Sequence, residues 1–170
     1  MSPTGRLLLL LIAPALTWLL PVIHPQLGAA AWLVDGVLLV IVLADLVTLP
    51  RRGRLRLERH GPAILSVGTS NAFRLTVWNG HRRTVRVRLT ESFPATMELR
   101  GLPARGRLRP RGSTTFRYEV VPRRRGAFPL GRTYLTAESL LGLWRRHLRV
   151  ALGATVKVFP DVKALNTYAL

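Results

Sequence analysis

The sequence has no cysteine among its 170 residues. This absence excludes disulfide bonds, catalysis by a thiolate and zinc sites built from cysteine. Histidine is scarce too, and the four histidines have none of the short spacings typical of metal ligands: His24, His60, His81 and His147. The sequence therefore predicts neither a metal site nor a bound cofactor.

Motifs that bind phosphate or activate a nucleophile are also missing. There is no G-x-x-x-x-G-K-[ST] loop, no G-x-G-x-x-G following a strand and no G-x-S-x-G turn. The glutamates mostly fall at positions that we predict to face solvent: Glu58, Glu91, Glu98, Glu119 and Glu138. Because paired carboxylates for acid–base chemistry are not evident, we expect no catalytic residues and a protein that is not an enzyme.

Acidic residues are few, and charge of either sign is nearly absent from the first 50 residues. The chain has 26 Lys and Arg residues against 8 acids, for a net charge of +18. All but one of these basic residues lie from Arg51 onward. The sequence thus divides into an apolar N-terminal part and a strongly basic C-terminal part.

The apolar part predicts two transmembrane helices, at about residues 7–23 and 29–49, within a first domain of residues 1–50. Pro14 and Pro21 are expected to kink the first helix. The connection His24–Gly28 has no Lys or Arg, whereas a basic cluster follows the second helix at once: Arg51, Arg52, Arg54 and Arg56. By the positive-inside rule we expect a multi-pass membrane protein with its C-terminal part in the cytoplasm. The cluster is expected to contact anionic lipid of the inner leaflet.

A cleaved signal peptide is an alternative for residues 1–31. Arg6, the apolar run that follows it and the small residues Ala29–Ala31 match the parts of such a peptide. Cleavage would leave the second helix in place, so the predicted location of Arg51 onward does not depend on the choice.

Two aspartates fall inside the second predicted helix. Asp45 lies near its cytoplasmic end, where it can reach the interface or the pair Arg51 and Arg52. Asp35 lies deeper and has no evident basic partner in the hairpin, so three alternatives stay open: a protonated group, a contact with another protein's helix, or a position near the outer interface. A subunit of a membrane transport complex is therefore one alternative function.

From Arg54 onward apolar and charged residues alternate, as in half-buried antiparallel strands. The clearest segments are Leu55–Glu58, Phe73–Trp78, Val85–Leu89, Phe116–Val120 and Val156–Val158. Asn79-Gly80 predicts a tight turn, and residues 140–150 predict a turn followed by a strand. The fold class predicted is mainly β: a transmembrane helical hairpin followed by a small antiparallel, immunoglobulin-like β-sandwich at residues 51–162, with a C-terminal tail at 163–170.

Further arginines are candidates for binding a partner: Arg123, Arg124, Arg125, Arg145 and Arg146. Nucleic acid, recruited to the membrane, is an alternative partner that contacts with phosphate would permit. It is disfavoured because aromatic residues are few and Trp78, Phe116 and Tyr118 fall in strand patterns as core candidates.

Several segments occur in an order that resembles a known family. They are LTVWNGHRRTVRVRLTESFP (75–94), VPRRRGAFPLG (121–131), SLLGLW (139–144) and VKVFPDV (156–162). Together with the two N-terminal helices, they resemble the N-terminal half of bacterial membrane proteins of the domain-of-unknown-function-58 family. The resemblance implies a missing second domain with a von Willebrand A-like fold beyond Leu170. It also implies an accessory or scaffold role with MoxR-type AAA ATPases in protein assembly or maturation. The implied partner is the ATPase or a separate von Willebrand A-like protein.

Overall fold

The computed structural model describes residues 1–160, so the predicted tail at 163–170 and the end of the predicted sandwich lie outside the described residues. The chain forms two compact units. Unit 1 consists of Met1–Pro50 together with Ala137–His147, and unit 2 contains Arg51–Thr136 and the described residues from Leu148 onward. A segment from the middle of the strand-rich sequence therefore belongs to the same unit as the N-terminal helices.

Unit 1 begins with a two-residue strand, β1 (Ser2–Pro3), followed by helices. These are α1 (Gly5–Leu10), α2 (Ile12–Thr17), α3 (Leu20–Ile23), a 3₁₀ helix (Pro25–Leu27) and α4 (Gly28–Val47). The helix expected at 7–23 is thus broken into short pieces. The cause lies in its prolines: Pro14 and Pro21 have no N–H to donate to the carbonyls of Leu10 and Thr17, and α1 and α2 end at those residues.

The second expected helix is present as α4, which has 20 residues. At 1.5 Å per residue it is about 30 Å long, which matches the hydrocarbon thickness of a bilayer. With the preceding 3₁₀ turn, it is the one described helical stretch long and apolar enough to cross a membrane; the helical stretch Gly5–Thr17 is shorter and also apolar. Trp32, Leu33 and Val47 are among its exposed apolar side chains.

The remaining elements are strands, apart from a 3₁₀ turn at Arg52–Arg54. They are β2 (Leu55–His60), β3 (Ile64–Ser66), β4 (Asn71–Asn79), β5 (Val85–Glu91), β6 (Met97–Arg100), β7 (Ala104–Leu108), β8 (Ser113–Pro122), β9 (Gly126–Pro129), β10 (Arg132–Glu138), β11 (Trp144–Ala151) and β12 (Thr155–Phe159). Strand β10 runs from unit 2 into unit 1, and β11 runs back.

The strands form the predicted mainly β fold, a β-sandwich. One sheet has the order β2-β4-β8-β6, and in unit 2 a second sheet has the order β11-β10-β5-β7. In unit 1, β1 pairs with the first residues of β11. A small third sheet, β3-β12-β9, departs from the antiparallel prediction because β12 is parallel to β3.

The core of unit 2 follows the alternation in the sequence. Leu75 and Val77 of β4 and Leu89 of β5 are fully buried, while the residues between them are more exposed. Phe73 and Tyr118 stack with ring centroids 5.6 Å apart. All five segments predicted from alternation lie in strands, namely β2, β4, β5, β8 and β12.

The chain turns after Asn79, where β4 ends, as predicted, but the turn does not close a hairpin. Strands β4 and β5 lie in different sheets, so the segment between them connects two layers. The buried Asn79 side chain is used within that connection: its amide donates to the carbonyl oxygens of Arg83 (2.8 Å) and Arg109 (3.0 Å), and its oxygen accepts from the His81 N–H (3.0 Å).

Candidate functional site

The most concentrated polar site of unit 1 surrounds the Asp45 carboxylate near the end of α4. One oxygen accepts from the Ser139 hydroxyl at 2.6 Å and from the Leu143 N–H at 3.1 Å. The other accepts from the Leu141 N–H at 2.8 Å and from the Thr48 hydroxyl at 3.2 Å. Asp45 is 2% exposed. A buried carboxylate is stable only when its oxygens are well supplied with donors, as they are here.

Ser139, Leu141 and Leu143 belong to the turn between β10 and β11, residues 139–143. The N-terminus of the chain also binds this turn. The Thr4 hydroxyl donates to the Gly142 carbonyl at 2.8 Å, and the Thr4 N–H donates to the Leu143 carbonyl at 2.9 Å. Gly142 has φ of +79°, a conformation that glycine adopts without strain. The Trp144 indole N–H donates to the Val42 carbonyl at 3.1 Å, which adds a further contact with α4.

These contacts correct the expected partners of Asp45 and agree with the turn and strand predicted at residues 140–150. Asp45 was expected to reach the interface or the pair Arg51 and Arg52; its partners are instead the 139–143 turn and Thr48, because that turn presents N–H groups that only a nearby acceptor can satisfy. The predicted turn followed by a strand is present, since β11 begins at Trp144.

Asp35, in the middle of α4, contacts the preceding helical segment. It accepts from the Trp18 indole N–H at 2.7 Å, and the Thr17 hydroxyl lies 3.5 Å from its other oxygen. The Trp18 ring meets Trp32 edge-on with centroids 5.2 Å apart. Asp35 thus joins the two arms of the helical hairpin within unit 1.

The predicted basic residues fall into separate groups. The basic cluster that is expected to contact lipid lies at the start of unit 2 and is exposed: Arg51, Arg52, Arg54 and Arg56. The run Arg123–Arg125 is also in unit 2, after β8, and lines an open pocket with Val67 and Pro160. Arg123 forms an ion pair with Glu98 at 2.6 Å.

The other two predicted partner-binding residues belong to unit 1, on β11. Arg145 pairs with Glu138 at 3.2 Å, and Arg146 donates to the Pro50 carbonyl at 2.8 Å. Arg146 therefore already has a role in holding its own unit together. The five candidate partner-binding arginines are therefore divided between the two units.

A buried ion pair in unit 2 was not predicted. Glu91, expected among the outward-facing glutamates, is 4% exposed and accepts from Arg59 at 3.0 Å, from Thr133 at 2.7 Å and from the Tyr118 hydroxyl. Burial and the adjacent Glu91 carboxylate raise the pKa of Tyr118. The sequence carried a signal, because Glu91 continues the inward phase of Val87 and Leu89.

His81 is the other buried titratable group of unit 2, at 8% exposed. Its Nε2 atom has no hydrogen-bond partner among residues 1–160. Burial lowers the pKa of His81, and the charges of Arg54 and Arg83 lower it further, although a hydrogen bond to the Arg51 backbone opposes them. Among residues 1–160, no group of three or more His, Asp or Glu residues is placed to hold a metal ion.

No protein-family model matches the sequence, and no curated protein is similar to it at a significant level. Solved structures do match. A FixG-related protein from Vibrio parahaemolyticus has 6% identity and a TM-score of 0.41, over 62% of this chain and 96% of that one. The cupredoxin domain of amoB from Nitrosocaldus yellowstonii has 8% identity and a TM-score of 0.42, over 65% and 89%. The CARDB domain of PF1109 from Pyrococcus furiosus has 16% identity and a TM-score of 0.39, over 67% and 97%. These likenesses concern the fold alone.

Proposed function

We propose that this chain is a membrane-anchored interaction module: a helical hairpin in the bacterial inner membrane that carries a β-sandwich on the cytoplasmic side. The observation that supports it most is the pair of contacts made by one turn. Thr4, at the start of the first helical arm, and Asp45, near the end of α4, both bind residues 142–143.

Because both ends of the helical segment meet at one turn, the chain must run outward and return within unit 1. Helix α4 is about 30 Å long. The connection around Pro25–Leu27 then lies at the far end of the hairpin, about one bilayer thickness away. This arrangement supports a two-armed membrane anchor in which the first arm is interrupted by its prolines.

The distribution of charge supports the orientation. At the near end, the Arg6 side chain donates to the Leu141 carbonyl, and Arg51 and Arg52 follow α4 in the sequence. The far-end segment His24–Gly28 has no Lys or Arg. By the positive-inside rule, the near end and the sandwich that follows it face the cytoplasm.

The N-terminal contacts also favour retention of residues 1–31 over cleavage as a signal peptide. Ser2 and Pro3 pair with Arg145 and Trp144 of β11, and the Ser2 hydroxyl lies 2.9 Å from the His147 ring nitrogen. Removal of this segment would leave the turn at 142–143 without the Thr4 contacts, so buried carbonyl groups would lose their donors.

The orientation can be tested by labelling single cysteines, because the natural chain has none. Gln26→Cys reports on the far end and Ser113→Cys, at an exposed position of β8, reports on the sandwich. We expect a membrane-impermeant maleimide to label the first in intact spheroplasts and the second only after lysis. Labelling of Ser113→Cys in intact spheroplasts contradicts the orientation. The intact mass of the purified protein tests whether residues 1–31 are retained.

The proposed partner is a protein. The family resemblance implies a MoxR-type AAA ATPase, which this chain would serve as an accessory or scaffold. Arg124 and Arg125 are exposed on the connection after β8, where a partner can reach them. Crosslinking in native membranes, nuclease treatment and mass spectrometry of the purified complex test this proposal.

Arg124→Glu with Arg125→Glu is expected to reduce recovery of the partner. Arg82→Glu with Arg109→Glu makes the same change in charge at exposed loop positions of the same unit and is expected to leave recovery unchanged. Equal loss in both variants means that net charge alone controls the association. Recovery of nucleic acid without an ATPase supports the alternative of a nucleic-acid tether.

A further inference from the structure

The turn between β10 and β11, residues 139–143, carries leucines with two kinds of surroundings. Leu143 is 4% exposed, so its side chain lies inside unit 1. Leu140 and Leu141 are 58% and 50% exposed. We refer to these two residues as the leucine tip. Single exposed apolar residues are common on protein surfaces, so the meaning of the tip depends on what lies beside it.

The turn lies alongside the end of α4. The Trp144 indole N–H donates to the Val42 carbonyl at 3.1 Å. The Leu140 N–H donates to the Thr48 hydroxyl at 3.0 Å. Val42 and Thr48 are six residues apart in the sequence, which is about 9 Å along a helix axis. The turn therefore lies beside the last two turns of α4, and Leu140 is at the level of its end.

Helix α4 exposes apolar side chains over the same stretch. Leu43 is 51% exposed and Val47, the last residue of the helix, is 85% exposed. A helix of 20 residues is about 30 Å long, so its ends lie at the two boundaries between hydrocarbon and headgroups when it crosses a bilayer. The leucine tip is then at one of these boundaries. All of the contacts that fix this level are within unit 1, so it does not depend on the position of unit 2.

The polar residues around the turn are those expected at such a boundary. Trp144 is half-buried, and tryptophan is enriched where membrane and water meet. Arg6 donates to the Leu141 carbonyl at 3.4 Å, and Arg145 is exposed on β11. Long basic side chains near the ends of membrane helices keep their stems in apolar surroundings and their charge among the headgroups. The acid that precedes the turn, Glu138, is paired with Arg145 at 3.2 Å, so its negative charge is compensated.

We propose that the leucine tip inserts into the lipid of the cytoplasmic leaflet, as a third membrane contact of the chain beside the two helical arms. This proposal rests on the proposed membrane anchoring. Transfer of leucine side chains from water into an apolar medium is favourable in proportion to the area removed from water. Lipid already has to cover Leu43 and Val47 at this level of α4, so the tip meets it without a further partner.

The Asp45 carboxylate makes this insertion possible. A non-helical segment at the edge of the hydrocarbon has backbone N–H groups that lipid cannot satisfy. Here the Leu141 and Leu143 N–H groups donate to Asp45, at 2.8 and 3.1 Å. The turn can thus present two leucine side chains outward while α4 satisfies its backbone donors.

The insertion can be tested with the full chain in lipid nanodiscs, with a fluorophore on single cysteines that the natural chain lacks. Leu141→Cys reports on the leucine tip. Val37→Cys, at the centre of α4 and 50% exposed, reports on the anchoring. Each is measured with lipids that carry a nitroxide quencher on their acyl chains, and with iodide, a quencher that stays in water. A cysteine conjugate of the fluorophore, free in solution, gives the value for full exposure to water.

We expect both reporters to be quenched by the lipid and protected from iodide, with emission shifted to the blue of the free conjugate. Asp45→Asn in the Leu141→Cys protein is expected to remove most of the lipid quenching at the tip, because the new amide NH₂ faces the N–H donors of the turn. Val37→Cys should remain quenched in the Asp45→Asn protein, since the helix itself stays inserted. Asp35→Asn makes the same change in the same helix, at a residue that binds Trp18, and is expected to leave the quenching of the tip unchanged.

A Leu141→Cys reporter that iodide quenches as strongly as the free conjugate, in discs where lipid quenches Val37→Cys, would overturn the insertion and leave the anchoring intact. Protection of the tip from both quenchers means that protein covers it, and this also contradicts the proposal. Absence of lipid quenching at Val37→Cys would refute the anchoring and the insertion together. Full lipid quenching of the tip in the Asp45→Asn protein would show that Asp45 does not hold it there.

Discussion

The Asp45 carboxylate accepts a 2.6 Å hydrogen bond from the hydroxyl of Ser139, a residue 94 positions later in the chain. The contact joins the last turn of an apolar helix to a turn between two strands. Both residues are 2% exposed. A hydrogen bond made by a buried, charged acceptor contributes more than one between neutral groups, so this pair and the backbone donors beside it hold unit 1 together.

Asp45→Asn is expected to destabilise unit 1 by at least about 1–3 kcal/mol, because the new amide NH₂ would face donors that have no other acceptor. Thermal unfolding in detergent and the rate of proteolysis at the exposed Leu140–Leu141 bond measure the effect. Asp35→Asn makes the same change in the same helix but keeps an oxygen for the Trp18 indole, so it should cost less. Equal stability of the two variants would contradict the role assigned to Asp45.

The buried pair of Arg59 and Glu91 gives a second prediction. Arg59→Met or Glu91→Leu alone is expected to lower the free energy of unfolding by about 3–5 kcal/mol, since each leaves an uncompensated buried charge. The double variant should recover most of this loss. Chemical denaturation of all three proteins completes the cycle. If the double variant were as unstable as the sum of the singles, the ion pair would not explain the cost.

Strands β2, β4, β5, β8 and β12 could be predicted from the sequence because each has an alternating pattern that does not depend on its neighbours. The same alternation predicts that Glu91 is buried, because it is in phase with Val87 and Leu89. We nevertheless predicted that Glu91 faces solvent, because acidic residues are usually exposed. Arg59 on a different sheet stabilises the buried Glu91 together with Tyr118 and Thr133, and sequence alone does not pair these residues.

Two other features depend on contacts distant in the sequence. The Asn79-Gly80 pair indicates a hairpin when only local geometry is considered, yet β4 and β5 belong to different sheets and Asn79 binds Arg109. Likewise, Asp45 has basic residues soon after it in the sequence, but its donors come from residues 139–143. Local propensity predicts elements well, whereas partners of buried polar groups follow from the tertiary fold.

Stability is expected to fall at alkaline pH because of Tyr118. Burial and the Glu91 carboxylate raise the pKa of its phenol above the usual value of 10.0. Above pH 10 the unfolded chain releases a proton that folded Tyr118 retains, so unfolding becomes more favourable by up to about 1.4 kcal/mol per pH unit. Denaturation between pH 9 and 11.5 should show a flatter profile for Tyr118→Phe. Tyr134→Phe, at an exposed position, should keep the wild-type slope.

At mildly acidic pH the expected change comes from His81, whose pKa is lowered by burial and then by the charges of Arg54 and Arg83. As the pH falls, the unfolded chain takes up a proton at His81 near pH 6.5, and the folded chain does so only at lower pH. Stability contributed by the neutral ring is therefore complete above that pH and is lost as the pH falls below it.

His81→Gln should remove this part of the pH dependence between pH 7 and 5, measured by denaturation. His60→Gln, at an exposed position, should not. If an NMR titration of the folded protein showed a His81 pKa at or above 6.5, the direction of the pKa shift and the prediction would both be wrong.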